Sequence, residues 1–371
     1  YPIMNPYFMS DKITTDLKFI IGQFRCFINS KFCERRSFTL LEDYENTIKY
    51  YLKDRGVLRL NNICLNAEYK ILKWGKTKTD KDNEVKQFNL KYFNYTTIKN
   101  KKNTTDIQFR RSIKYEWVSS LWIGNYFNEL TTLALNSWVM NGYNIKLYID
   151  FNLFNDNELN KIKNYDGRLF LYDAKDIMNY DTVEDILPLS DLWRYNLLVQ
   201  ETSATWLDAD MVLLDILPYD NTIISSEHTF QRGAYKSKLL FKPNIGVLRF
   251  SNNNIDILND IIYTCGTLDN YKFCDLMKKF QSLINRKYSH LYEYIVQPEE
   301  FCPIPWFNCK EIYYDDCYSH KYGVMLGTND EILRTANGIH LWNNFTYNRY
   351  KIDFNNIYPN SIYARLCRYF L

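Results

Sequence analysis

Between Tyr115 and Leu214 the hydrophobic pattern switches repeatedly between the two-residue period of a strand and the 3.6-residue period of a helix. That alternation restricts what the chain can fold into more than any other feature. Residues 117–123 read as a buried strand, and 127–140 as a helix with Leu130, Leu133, Ala134 and Trp138 at helical spacing. Residues 145–149 alternate like a strand and end at Asp150; 168–172 form another strand, 190–200 a helix and 204–207 a further strand. Segments of these lengths in this order predict an α/β domain with a mostly parallel central sheet and helices on both faces. Ligands of such sheets gather at the carboxyl ends of the strands, where Asp208 and Asp210 stand.

The 371 residues suit two domains better than one. We divide them into an N-terminal domain over 1–110 and an α/β domain over 111–371. The first is expected to be smaller and mainly helical, with helices over 14–30 and 40–53, the second carrying Leu41, Tyr44, Ile48 and Leu52 at helical spacing. The lysine-rich runs at 76–82 and 99–103 have no hydrophobic period and read as exposed loops or a linker, with a basic docking patch as the alternative. A hydrophobic content of 46%, with 17% aromatics, supports a large core and excludes general disorder. A net charge of +3, from 46 basic and 43 acidic residues, gives no reason to expect a nucleic-acid partner.

Nine cysteines occur with no C-x-x-C pair, which fits reduced thiols in a cytosolic protein better than a disulfide framework. The bias toward Asn, Lys, Tyr and Ile is that of an A+T-rich coding genome and speaks to origin; from the thiols the expected compartment is the cytoplasm, or the host cytoplasm if the source is viral. The apolar stretch over 17–28 is broken by Lys18, Gln23 and Arg25 and is too short to span a bilayer, which leaves open an anchor upstream of Tyr1.

The chemistry concentrates in Ser190-Asp191-Leu192-Trp193-Arg194 and in Trp206-Leu207-Asp208-Ala209-Asp210. A hydrophobic strand there delivers two carboxylates, one residue apart, onto a loop. Such a pair can hold one hard divalent cation and leave positions open for phosphate oxygens. The alternative is solvated surface, but the apolar run 211–214 that follows argues against it, because carboxylates wedged between buried strands need a cation or hydrogen bonds. Ser190 reads as an N-cap, and Asp191 and Arg194 share a helical face, either as an internal ion pair or as contacts to a ligand. His340, before an apolar Leu-Trp pair, reads by itself as a structural histidine, and His228, His290 and His320 as ordinary core or surface ones. No dinucleotide, P-loop, nucleophile-elbow or H-E-x-x-H motif occurs.

Ser190-Asp191-x-x-Arg194, an apolar helix and then Trp206-Leu207-Asp208-x-Asp210 resemble the DXD sugar-binding segment of glycosyltransferase family 32, the α-1,6-mannosyltransferase and α-1,4-galactosyl synthase type. The clostridial glucosylating toxins are similar, more distantly. Leu121-Trp122-Ile123-Gly124 resembles the opening of that fold, Pro298-Glu299-Glu300-Phe301-Cys302-Pro303 its late Phe-Tyr-Pro segment, and Ile339-His340-Leu341-Trp342-Asn343 its terminal His-x-Trp segment. The likeness covers about residues 115–345. It departs at the turn before the DXD strand, where the family carries Gly-Gly and this chain Glu201-Thr202-Ser203-Ala204, and the step from Arg194 to Asp208 is one residue longer than in the family.

The resemblance implies a GT-A fold and a metal-dependent glycosyltransferase (a hexosyltransferase) using Mn²⁺ or Mg²⁺. The donor is a nucleoside-diphosphate sugar, UDP favoured over GDP, and the acceptor a hydroxyl of a glycan, protein or lipid. It further implies transfer with retention, by a front-side route in which the leaving phosphate helps deprotonate the acceptor. By the same resemblance Asp210, Asp208 and His340 hold the metal, Asp191 and Arg194 the donor sugar, and Trp122, Asp208 and Trp342 other parts of the donor. The rival readings are a catalytically silent module that binds carbohydrate or protein, and a nucleotidyltransferase using the same two carboxylates.

Overall fold

A computed structural model describes residues 2–3, 13–14, 16–18, 37–54, 59–64, 78–101, 104–110, 115–154, 157–158, 165, 167–180, 186–202, 204–218, 221–230, 239–265, 272, 274–314 and 327–371. The chain divides into two compact units, one of Tyr1–Glu116 with Met140–Gly142, the other of Trp117–Val139 with Tyr143–Leu371.

In the first unit the helix expected over 40–53 is present as Glu42–Asp54. The helix expected over 14–30 falls mainly outside the described residues. Two expectations are corrected here. The lysine-rich run at 76–82 is not a loop where it is described: a helix occupies Lys78–Lys91. Likewise Lys99 and Lys101 belong to a hairpin of Thr96–Lys101 and Thr104–Phe109. The helix is polar at its start and anchored further on, by Val85 and Phe88, with Tyr92 just past its end; all three are fully buried, so the anchoring residues lie outside the lysine-rich run. Glu45, also fully buried, ties the unit together. Its carboxylate accepts from the Ser37 and Phe38 amides (2.8 and 3.2 Å) and from the Tyr92 hydroxyl (2.8 Å).

The second unit is the expected α/β domain. Its elements begin with β1 (Trp117–Trp122), α1 (Glu129–Met140), β2 (Asn144–Ile149), β3 (Leu169–Asp173), α2 (Ile186–Gln200), β4 (Thr205–Leu207) and β5 (Met211–Leu213). They continue with β6 (Ile223–Phe230), β7 (Leu239–Arg249), α3 (Asp256–Cys265), α4 (Asp275–Arg286) and β8 (Gly338–His340). Among the described residues the central sheet has six strands in the order β6-β7-β4-β1-β2-β3. Only β7 runs against its neighbours, so the sheet is mixed but mostly parallel. β5 and β8 form a separate antiparallel pair in which Met211 faces His340. No helix among the described residues is long and apolar enough to cross a membrane.

α2 packs into the core beside the sheet through Leu189, Trp193, Leu197 and Leu198, all at most 2% exposed. The Trp193 indole meets Tyr148 edge-on and donates to the Ala174 carbonyl, so its polar edge is satisfied where it is buried. The helix starts four residues earlier than the sequence pattern indicates, so Ser190 is not its N-cap. Pro188 sits in the first turn, where a missing N–H costs nothing, and the helix can begin upstream of it. The Ser190 hydroxyl instead accepts from Arg194 Nη2 (3.2 Å).

The turn that lacks glycine is held from outside. The Ala204 amide closes it on the Glu201 carbonyl (3.0 Å), and the Glu201 carboxylate binds Lys146 Nζ and the Tyr148 hydroxyl, each at 2.7 Å. Burial and Glu201 both raise the Tyr148 pKa, so that phenol stays a donor. Glu201→Ala should therefore cost about 1–3 kcal/mol of stability by urea unfolding while leaving cation binding at Asp208 and Asp210 unchanged.

Candidate metal centre

Asp208 directly follows β4, and the turn to β5 places Asp210 two residues on. Asp208 N donates to the Gly246 carbonyl of β7, and Met211 N closes the turn on the Asp208 carbonyl, both at 2.8 Å. Pairing of β5 with β8 then brings His340 alongside. Asp208, Asp210 and His340 offer one donor atom each within 4.8 Å of one another. His340 Nε2 lies 3.1 Å from Asp210 Oδ1 and 3.7 Å from Asp208 Oδ2. Three donor atoms this close together, two of them carboxylate oxygens, can hold one divalent cation.

The other atom of each carboxylate is already committed. Asp208 Oδ1 accepts from Trp206 Nε1 (2.9 Å) and Arg194 Nη1 (2.8 Å). Asp210 Oδ2 accepts from the Asn343 amide at 2.6 Å. One oxygen from each aspartate is thereby held by protein, and its partner is left to the shared point with His340. On the far side of the imidazole, Nδ1 faces Cys302 Sγ at 3.9 Å, and the Trp342 ring stacks on His340 at 4.0 Å between centroids. Trp342 has φ of 55°, left-handed backbone that costs a bulky residue of order 1–3 kcal/mol. Its indole donates to the Ile304 carbonyl (2.8 Å), and the next residue is Asn343, whose amide meets Asp210.

Arg194 makes four hydrogen bonds and two ion pairs to protein. Nε meets Ser190 O, Nη1 meets Asp208 and Ile245 O, and Nη2 meets the Ser190 hydroxyl and Asp191 (3.1 Å). The structure thus places Arg194 beneath the site, as the holder of Asp208 and Asp191. Asp191 is buried, and its pKa is pushed up to about 6 by desolvation, with Asp208 adding to the rise and Arg194 opposing it. Trp122 ends β1 half-buried, its indole donating to Tyr126 O at 3.0 Å. His228 stands apart from the metal centre in a pair with Glu299 (3.3 Å).

No family model matches the chain, and no curated protein matches it. Among solved structures it is similar to the PaToxG glycosyltransferase, with 13% identity and a TM-score of 0.32 over 58% of this chain and 85% of that one. It is also similar to a transferase and a transferase mutant, each at 12% identity over 49% of this chain and 90% of the other, with TM-scores of 0.30 and 0.33. Likeness at that level decides nothing about this chain's chemistry.

Sequence reading missed Gly246. A Cβ there would stand 2.9 Å from Asn244 Oδ1, 3.2 Å from Asp208 Oδ2 and 3.4 Å from His340 Cε1. Its signal was a lone glycine inside an apolar strand, which marks close approach of backbone to something else. Gly246→Ala should weaken Mn²⁺ binding about tenfold or more, as loss of supporting geometry around metal ligands does; a Mn²⁺ titration followed by electron paramagnetic resonance reads it.

Burial alone would lower the His340 pKa, but Asp210 and Cys302 outweigh it and hold it well above the ordinary imidazole value. Burial would raise Asp210, and His340 with the Asn343 amide reverses that to a lowered pKa. The imidazolium therefore adds stability that is full below the unfolded histidine value and is lost as pH rises through the folded one. A cation must displace its proton. Mn²⁺ affinity should rise with pH, approaching about tenfold per unit below the folded His340 pKa, with proton release seen by calorimetry in buffers of different ionisation enthalpy.

Proposed function

We propose that this chain is a metal-dependent glycosyltransferase that moves a sugar from a nucleoside-diphosphate donor, UDP-linked in preference to GDP-linked, to a hydroxyl acceptor with retention of configuration. The observation that carries this reading is the donor set of Asp208, Asp210 and His340, assembled at the carboxyl end of β4 with one oxygen of each aspartate held back by protein. When bound there, Mn²⁺ or Mg²⁺ neutralises the charge that builds on a departing diphosphate.

The surrounding residues take the remaining roles. Asp191 Oδ1 is held by Arg194, and its second oxygen is available to accept from hydroxyls of the donor sugar. Arg194 acts through Asp191 and Asp208, since its own donors are engaged. Trp122, at the end of β1, offers an indole face for the nucleotide base. Trp342 and Cys302 act through His340, fixing the ring plane and facing its second nitrogen. In the transfer itself the bond from the anomeric carbon to the diphosphate oxygen breaks, and the bond to the acceptor oxygen forms on the same face. The acceptor proton passes to the leaving phosphate oxygen, so no protein nucleophile is required.

Thermal-shift measurements with UDP-, GDP- and CMP-sugars, with and without Mn²⁺, test the reading. Stabilisation by a nucleotide sugar only when metal is present is the expected result, and no shift with any of them sinks it. Asp210→Asn should abolish Mn²⁺-dependent donor hydrolysis while the protein stays folded; unchanged turnover would remove the metal assignment.

A further inference from the structure

β7 leaves register opposite a single residue of β6. Between the cross-strand pairs Ile224–Leu248 and Ser226–Pro243, Ser225 alone faces the four residues Asn244, Ile245, Gly246 and Val247. A bulge of this size leaves backbone groups without ladder partners, and side chains must supply them. The Ser225 hydroxyl accepts from Val247 N (3.0 Å) and donates to Asn244 O (3.1 Å). Asn244 Oδ1 accepts from Gly246 N at 2.7 Å. The bulge then presents the Gly246 carbonyl to Asp208 N, and any Cβ at Gly246 would press on Asp208 Oδ2 and His340.

The other end of the Asn244 amide meets Glu227. Nδ2 donates to Glu227 Oε2 at 2.9 Å, and Glu227 Oε1 lies 3.4 Å from Lys242 Nζ. Glu227 is 3% exposed, and nothing in the transfer chemistry above uses it. A carboxylate only accepts and a backbone N–H only donates. Glu227 on one side and Gly246 N on the other therefore leave the Asn244 amide a single orientation. Without the carboxylate Nδ2 loses its acceptor, and Oδ1 is held only by Gly246 N and a longer contact from the Ser225 hydroxyl (3.4 Å).

We infer that Glu227 is a positioning residue for the cation site, locking the Asn244 amide that holds the Gly246 bulge against Asp208 and His340. The inference rests on the reading that Asp208, Asp210 and His340 bind a divalent cation. Lys242 pairs with Glu227 from the partially exposed side, and Ser225 fixes the rest of the bulge.

The test is Mn²⁺ affinity of the full chain, read by electron paramagnetic resonance, with melting temperatures measured alongside. Glu227→Met should weaken Mn²⁺ binding about 10- to 100-fold, the usual cost of losing an outer partner of a metal site. Glu227→Gln, whose carbonyl can still accept from Asn244, should stay within about threefold of the wild type, a rescue that a merely structural role does not predict. Glu227→Asp keeps the charge but is one methylene short of Asn244; it should lose affinity like Glu227→Met, and it carries the test if the methionine variant does not fold. Asn244→Ala should give the same loss, with no further loss in the double variant. Wild-type affinity in folded Glu227→Met or Glu227→Asp overturns the inference, as does a Glu227→Gln loss equal to that of Glu227→Met, or additive losses in the double variant. Asp210→Asn is the control: if it keeps Mn²⁺, the cation reading itself falls, and if it alone loses Mn²⁺, only the role of Glu227 does.

Discussion

A guanidinium buried beneath carboxylates is tolerable only among acceptors and opposite charges, and Arg194 meets that condition by joining three elements. Its donors reach back along α2 to Ser190 and Asp191, across to Asp208 at the end of β4, and out to the Ile245 carbonyl on β7. Its plane also lies 4.8 Å above the Trp206 ring. Asp208 can keep one oxygen for a shared ligand because Arg194 and Trp206 hold the other. The helix, the strand end and the reversed strand are therefore fixed by one charge, and the geometry of the site follows from that junction.

The reversed strand β7 contributes by being irregular. A regular ladder would run past the carboxylates with side chains alternating over them; the bulge at Asn244–Val247 instead turns bare backbone toward them at Gly246. On the opposite wall, the left-handed Trp342 performs a comparable task. Its strained backbone aims the Asn343 amide at Asp210 and lays an indole along His340. Both walls hold the ligand atoms through groups that do not themselves face the cation position.

Some of this was legible in the sequence because it is local. Alternating periods announced the α/β domain, and 204–207 announced a strand ending on two carboxylates, since burial pattern and charge placement are set within a few residues. The lysine-rich runs misled because the residues that bury the helix, Val85 and Phe88, lie beyond them. Ser190 misled because capping residues and helix-interior residues look alike when a proline in the first turn lets the helix start earlier. The Glu201 turn showed in sequence as an absent glycine; that its carboxylate is anchored to Lys146 and Tyr148 of β2 could not be read there.

The sequence by itself determined the layer architecture, the position of Asp208 and Asp210 at a strand end, and the placement of Asp191 and Arg194 on one helical face. Each depends on spacing within a single element. The resemblance named His340; only the tertiary structure decided that it lies 3.1 Å from Asp210, that the Asn343 amide meets Asp210 from 133 residues away, and that Gly246, Asn244 and Glu227 stand behind Asp208. Those relations come from the pairing of β5 with β8 and of β7 with β4, and non-local strand pairing leaves no periodic trace in either partner.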